Sequence, residues 1–216
     1  MTITHHLDDA TLMSFAAGSL PATLSVVAAS HIASCAHCSR ELRYMERIGA
    51  AMFATLGASA LGRPAPTMAL ARAEADAHGI DDTAAGPVGD LPAPLAALVG
   101  PNLADIKWKR LGLGVLHHRL KLADQSVGDL RLLTISPGRQ MPNHGHGGSE
   151  LTLIIGGSYA DKTGVYNIGD VADLGDDVDH TPIADPVLGC ICIVASDRPA
   201  RFSGIVQRIM QPLTGM

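Results

Sequence analysis

The stretch that decides the fold of the C-terminal half is GRQMPNHGHGGSELTLIIGG, residues 138–157. It places His144 and His146 two positions apart, so that on a β-strand both side chains lie on the same face. Glu150 keeps the same parity beyond a glycine-rich turn. With a fourth side chain from a later strand, these three residues predict a mononuclear metal site facing the inside of a β-domain.

Short strand-like segments surround this stretch. LRLLTIS (130–136) and GCICIVAS (189–196) are β-branched or alternate between apolar and polar residues. Gly, Pro, Asp or Asn separates each such segment from the next. Five or more of these segments in about 100 residues predict an antiparallel barrel or sandwich.

The spacing G-x5-H-x-H-x3-E-x6-G in residues 138–157 resembles the first motif of the cupin family. This resemblance implies an antiparallel β-barrel of the jelly-roll type over residues 90–195. It also implies that residues 196–216 form a C-terminal extension.

The second cupin motif is only partly present. His180 is carried over as the fourth ligand beside His144, His146 and Glu150, although the residues around it depart from the family pattern. Three histidines and one glutamate suit Zn²⁺, Fe²⁺, Mn²⁺ or Ni²⁺. The sequence does not choose among these ions, and Zn²⁺ is expected first.

A second cluster lies in HIASCAHC, residues 31–38. On a helix with 3.6 residues per turn, His31, Cys35 and Cys38 share one face. Zn²⁺ favours thiolate and imidazole ligands in a tetrahedron, and C-x2-C is its usual thiolate pair. The fourth ligand is expected from His5 or His6. The alternative is that these are small buried cysteines beside an exposed histidine.

The stretch LMSFAAGSLPATLSVVAASHIASCAHCSREL, residues 12–42, resembles the zinc-binding anti-sigma domain. The resemblance implies an all-α bundle over residues 1–85, with a linker from about residue 80. Zinc would be held by His6, His31, Cys35 and Cys38, with His5 in reserve. In that family the helices clamp a sigma factor of the extracytoplasmic-function type.

The order of the two parts, helical and then cupin, resembles the ChrR family of anti-sigma factors. The resemblance implies a zinc-dependent anti-sigma factor rather than an enzyme. It implies release of the sigma factor in response to singlet oxygen or organic peroxide, sensed through the cupin domain. The alternative is a metal-dependent, dioxygenase-like cupin enzyme with the zinc-binding helical part as an accessory domain.

Cys190 and Cys192 lie two positions apart in the last strand-like segment and face the same way. One interpretation is a pair of small core residues. The other is a redox-sensitive pair near the metal site.

Composition excludes several partners. The net charge is −5, from 16 Lys and Arg against 21 Asp and Glu, and no basic run is present. Direct binding of nucleic acid is therefore not expected, because phosphate contacts require clustered Lys and Arg. The N-terminus has no signal-peptide pattern and no apolar stretch is long enough to span a bilayer, so we expect no membrane partner and a location in the cytoplasm.

Overall fold

The computed structural model describes residues 2–57, 89–122, 128–145, 147–198 and the backbone of 201–202. The predicted linker and the rest of the predicted helical region, residues 58–88, lie outside the described residues. His146 and most of the predicted C-terminal extension, residues 203–216, lie outside them too. The predicted domain boundaries stay predictions for that reason.

Helices occupy the N-terminal part, as the sequence predicts. Asp8 caps the first helix, where its Oδ1 accepts a hydrogen bond of 2.6 Å from the amide of Thr11. No helix in the described part combines the length and the apolar character that crossing a bilayer requires. The helices are α1 (Asp9–Ala16), α2 (Ala22–Ile32), α3 (Ala36–Ala54) and α4 (Ala93–Val99), followed by a 3₁₀ turn at Leu103–Asp105.

The remaining described chain is a set of short strands joined by turns. Glycines with positive φ occupy several of these turns. The strands are β1 (Lys109–Gly112), β2 (Val115–Arg119), β3 (Asp129–Ile135), β4 (His144–Gly145), β5 (Glu150–Asp161), β6 (Gly164–Asn167), β7 (Val171–Leu174), β8 (Ile183–Ala184), β9 (Cys190–Ser196) and β10 (Arg201–Phe202).

The sheet is antiparallel, with the order β1-β2-β3-β9-β5-β6, and β5 also pairs with β7 and β8. β5 is the longest strand, and a register shift between Ile154 and Gly156 lets its two halves take different partners. β4 pairs with β10 in a separate ladder. The predicted antiparallel cupin-like sheet is confirmed, but the described strands do not pair into a closed barrel.

The helices pack directly on the sheet. Leu24, Val27 and Ala28 of α2 are fully buried and belong to one hydrophobic cluster with Leu151 of β5 and Ile193 of β9. These α2 positions follow the i, i+3, i+4 spacing of one helix face. A single continuous core therefore joins the helices to the sheet and fixes α2, whose last turn carries His31, against β5 and β9.

Candidate metal centres

The first candidate centre brings together His6, His31, Cys35 and Cys38. One ligand atom from each of the four lies within 4.8 Å of all the others. His31 Nε2 is 3.3 Å from Cys38 Sγ, and His6 Nδ1 is 3.3 Å from Cys35 Sγ. Ligand atoms of a tetrahedral zinc ion stand about 3.3–3.8 Å apart, since its bonds are about 2.0–2.3 Å long. The arrangement therefore fits zinc.

Local structure places these side chains. His31 lies in the last turn of α2, and the chain then turns so that Cys35 becomes the N-cap of α3. The amide of Cys38, in the first turn of α3, lies 3.5 Å from Cys35 Sγ and donates to it. A metal at this point would hold the end of one helix to the beginning of the next.

His31 is oriented by the sheet. Its Nδ1 lies 2.9 Å from the carbonyl oxygen of Gly169, in the turn before β7. A carbonyl only accepts, so Nδ1 carries the proton and Nε2 presents its lone pair to the cysteines. Burial lowers the pKa of His31 to about 4, so the ring is neutral at pH 7, as a metal ligand must be.

The donor set itself calls for a cation. Cys38 is completely buried, and burial raises the pKa of its thiol to about 12. A hydrogen bond from the backbone of Leu7 favours the thiolate but is outweighed by burial, whereas a divalent cation would stabilise the thiolate. Two thiolates and two neutral imidazoles balance the charge of Zn²⁺, so such a site can be buried.

The structure distinguishes the two N-terminal histidines. Consecutive residues of an extended segment point to opposite sides. His6 faces the cysteines, whereas His5 faces the sheet, with Nδ1 3.3 Å from Asp170 Oδ2. His37 is not part of the cluster, but its ring packs on His6 with centroids 4.3 Å apart.

The second candidate centre consists of His144, Glu150 and His180, with one ligand atom from each within 4.8 Å of the others. The backbones of His144 and His180 exchange two hydrogen bonds of 2.9 and 3.1 Å. This bridge brings their Nε2 atoms to 3.2 Å. Glu150 begins β5 and is buried. His146, the other predicted ligand, lies outside the described residues.

Contacts behind the two rings fix their tautomers. His144 Nδ1 is 2.8 Å from the carbonyl oxygen of Pro142, and His180 Nδ1 is 2.7 Å from Asp161 Oδ2. Both Nδ1 atoms donate outward, so Nε2 is the nitrogen that each ring presents to Glu150 and the cavity. Two such nitrogens beside a carboxylate suit a divalent cation.

His144, Glu150 and His180 line a cavity of about 130 Å³, whose wall also includes residues of β3, β5 and β9. Cys192 also lines it, and the neighbouring thiol of Cys190 is in hydrogen-bond contact with that of Cys192. Both cysteines are free and buried, as either interpretation of the pair allows. The hydrogen bond with Cys190 and burial hold the pKa of Cys192 well above its usual range.

Sequence reasoning missed the residues behind the ligands. Asp161 and the carbonyl of Gly169 orient a histidine each, and Asp170 holds the segment before His6. Buried Arg131, which forms an ion pair with Asp129 in the cavity wall, was also missed. Gly169 and Asp170 fit the start of the partly present second cupin motif, but that match gives no hint of a contact with helix α2.

Comparison with known proteins finds relatives over nearly the whole chain. Residues 98–198 match the family described as the ChrR Cupin-like domain. The anti-sigma-E factor ChrR of Cereibacter sphaeroides is 34% identical over an alignment that covers 98% of each chain. The crystal structure of Rhodobacter sphaeroides SigE in complex with the anti-sigma ChrR matches with a TM-score of 0.74 and 35% identity. That match covers 91% of this chain and 100% of that chain.

The fourth ligand of the first centre can be tested with a matched pair of variants. His6→Ala removes a ligand atom and is expected to abolish zinc binding at this centre. His5→Ala leaves all four ligand atoms and is expected to weaken binding by no more than about 10–100-fold, the usual effect of an outer contact. Competition with a chromogenic chelator measures both. Loss of the ion in His5→Ala with retention in His6→Ala would show that the assignment is wrong.

Proposed function

Because the chain belongs to the ChrR family of anti-sigma factors, we propose that it binds a sigma factor of the extracytoplasmic-function type. Bound to the helical part, the sigma factor is kept from RNA polymerase in the cytoplasm. The family relation supports this partner, since a ChrR relative has been crystallised with SigE and aligns over all of its length.

The exposed half of α3 is the observation that carries the proposal. Every residue of this helix from Glu46 to Ala54 is exposed. The apolar members include Ile48, Met52 and Phe53, with 44%, 67% and 76% of their surface accessible. Apolar side chains grouped on an exposed helix face mark a protein-binding surface. Charged residues such as Arg43 and Arg47 border it, as is usual at the rim of an interface.

Zinc dependence follows from where the first centre lies. Zinc at His6, His31, Cys35 and Cys38 would join the N-terminal segment, the end of α2 and the start of α3. This junction would set the direction of α3 and of its exposed apolar face together with the packing of α3 on α1 and of Met45 on the core. Loss of the ion would remove the contact that fixes the start of the proposed sigma-binding helix.

The sigma partner can be tested with two single variants of the full chain in its native host. Phe53→Asp places a charge in the apolar face and is expected to weaken sigma binding at least about tenfold, as for a central interface residue. Leu113→Asp alters an equally exposed apolar residue, 73% accessible, in the turn between β1 and β2. This control is expected to bind as the wild type does. Mass spectrometry of the co-purified proteins identifies the sigma factor.

Two results would contradict this surface. One is equal recovery of the sigma factor with Phe53→Asp and with the wild type. The other is a wild-type dimer that Phe53→Asp dissociates, because the face would then serve association between copies of the chain. Sedimentation of the purified chain detects the dimer.

Release on oxidation is the second part of the proposal, with the cupin cavity as the sensor. The cavity brings His144, Glu150 and His180 to the same space as Cys192. These three residues, with His146, would hold a second divalent cation, for which Zn²⁺ is our first expectation. An organic hydroperoxide entering the cavity would transfer one oxygen atom to the Cys192 thiol, which leaves a sulfenic acid and an alcohol.

The raised pKa of Cys192 sets the threshold of such a sensor. A protonated thiol reacts more slowly with oxidants than a thiolate does. Low levels of peroxide would therefore leave the complex intact. The product is polar and bulkier than a thiol in a strand that packs against β3 and β5, so oxidation would disturb the sheet on which α2 rests.

The oxidant response can be tested in cells with a reporter of the released sigma factor. Cys192→Ser and His144→Ala are each expected to reduce induction by organic peroxide or singlet oxygen at least about fivefold, the low end of allosteric couplings. Repression without oxidant is expected to stay intact, because neither residue lies on α3 or in the first centre. Full induction in the double variant would contradict sensing in the cavity.

A cupin enzyme is the second candidate function, and the cavity with its three candidate ligands is the observation that favours it. Its test is turnover of a small organic substrate by the Fe²⁺-loaded full chain. Turnover that His144→Ala abolishes would support the enzyme.

A further inference from the structure

A continuous series of contacts joins the two candidate centres through β6 and the turns at its two ends. It runs from the cupin triad (His144, Glu150 and His180) to the zinc cluster (His6, His31, Cys35 and Cys38). It begins at His180, whose Nδ1 donates to Asp161 Oδ2 at 2.7 Å. The two side chains are 2% and 0% exposed. Asp161 is the last residue of β5, so the position of His180 is set by the first residue of the turn that leads into β6.

The other oxygen of Asp161 holds that turn. Asp161 Oδ1 accepts hydrogen bonds from the amides of Thr163, at 2.7 Å, and Gly164, at 3.3 Å. The hydroxyl of Thr163 bonds in turn to the hydroxyl of Tyr166, at 2.9 Å. The carboxylate of Asp161 therefore joins the candidate ligand His180 to the beginning of β6. Through Thr163 it also connects His180 to Tyr166 in β6.

Tyr166 carries the series to the N-terminal segment. Its ring packs on the ring of His5, with centroids 4.3 Å apart. His5 is held by Asp170 at the far end of β6. Asp170 Oδ1 accepts from the amides of Thr4, at 2.7 Å, and His5, at 3.0 Å.

The series ends at two candidate zinc ligands. His6 directly follows His5, and Gly169, next to Asp170, accepts from His31 Nδ1. Gly169 has φ +89°, and a side-chain carbon there would lie 2.9–3.0 Å from Ile3. The turn after β6 is thus fitted tightly against the segment that carries His6, so a shift of one moves the other.

From these contacts we propose that residues 161–170 couple the two centres, with Asp161, Thr163 and Tyr166 as positioning residues. The segment is anchored at one end to His180 and at the other to His31 and the chain before His6. A change in the position of His180 is transmitted to the zinc cluster through β6. This coupling would be the route by which the proposed oxidant response reaches the zinc cluster, and its role in the cell rests on that proposed function. The coupling itself can be measured with no sigma factor present.

Coupling can be measured with Co²⁺ in the full chain. Thiolate-to-cobalt charge transfer reports on Cys35 and Cys38 when every protein compared also carries Cys192→Ser, because Cys192 lines the cupin cavity and the predicted ligands there are nitrogen and oxygen. The four proteins are this parent chain, His180→Ala, Thr163→Val and the double variant. Thr163→Val keeps the shape of an exposed side chain and removes only its hydroxyl. Thr181→Val is the matched control, since its hydroxyl bonds to Asn143, off the series.

The inference predicts that His180→Ala changes the Co²⁺ affinity of the thiolate site at least about fivefold in the parent chain. With Thr163→Val present, the change is expected to fall below about twofold, while Thr181→Val leaves it intact. Asp161→Asn, which keeps the size of the side chain, serves as a second perturbation if His180→Ala does not fold.

An unchanged charge-transfer band and affinity in both perturbed chains would overturn the coupling, as would an equal change in the Thr163→Val background. Either result would leave the proposed sigma binding untouched. Conversely, loss of sigma binding in Phe53→Asp does not bear on the cobalt measurement, so the two failures are distinguishable.

Discussion

The structure depends on the contacts that the two ring nitrogens of His31 make. His31 presents Nε2 to Cys38 and donates from Nδ1 to the carbonyl of Gly169. One side belongs to a cluster that joins the extended N-terminal segment to the end of α2 and the start of α3, and the other is attached to a turn of the sheet. Because the ring is completely buried and neutral at pH 7, neither contact competes with water. The helical part and the sheet are held together at the same point where zinc would bind.

This arrangement explains why α2 and α3 behave differently. α2 is buried against β5 and β9 and acts as part of the common core. α3 starts at the cluster but leaves it, and its distal half is exposed along its whole circumference. Among the described residues, none buries the second half of α3. The direction of this helix and of its apolar face is therefore set by its first half, which begins at the metal cluster. The metal cluster therefore links the core of the protein to its proposed binding surface.

Both candidate centres could be predicted from the short-range spacing of their ligands. The expectation that His31, Cys35 and Cys38 share one helix face is wrong, because α2 ends after His31 and the turn before α3 brings the two cysteines to it. The motif around residue 144 indicates the other centre. The choice between His5 and His6 could not be made, because it depends on which side of the extended N-terminal segment meets Asp170. Gly169 and Asp161 were missed because their contacts with His31 and His180 span 138 and 19 residues, and such contacts leave no local pattern. Closure of the barrel was expected from the family resemblance, whereas the described strands pair as an open antiparallel sheet.

The most direct measurement is NMR of the cadmium-loaded full chain, read as scalar couplings between the ion and side-chain nuclei. The account predicts one ion coupled to Cys35, Cys38, His6 and His31, with His31 bound through Nε2 and its Nδ1 still protonated. Coupling to His31 through Nδ1, or an ion coupled to the cysteines without His31, would contradict it, because the ring would then no longer join the metal cluster to the sheet.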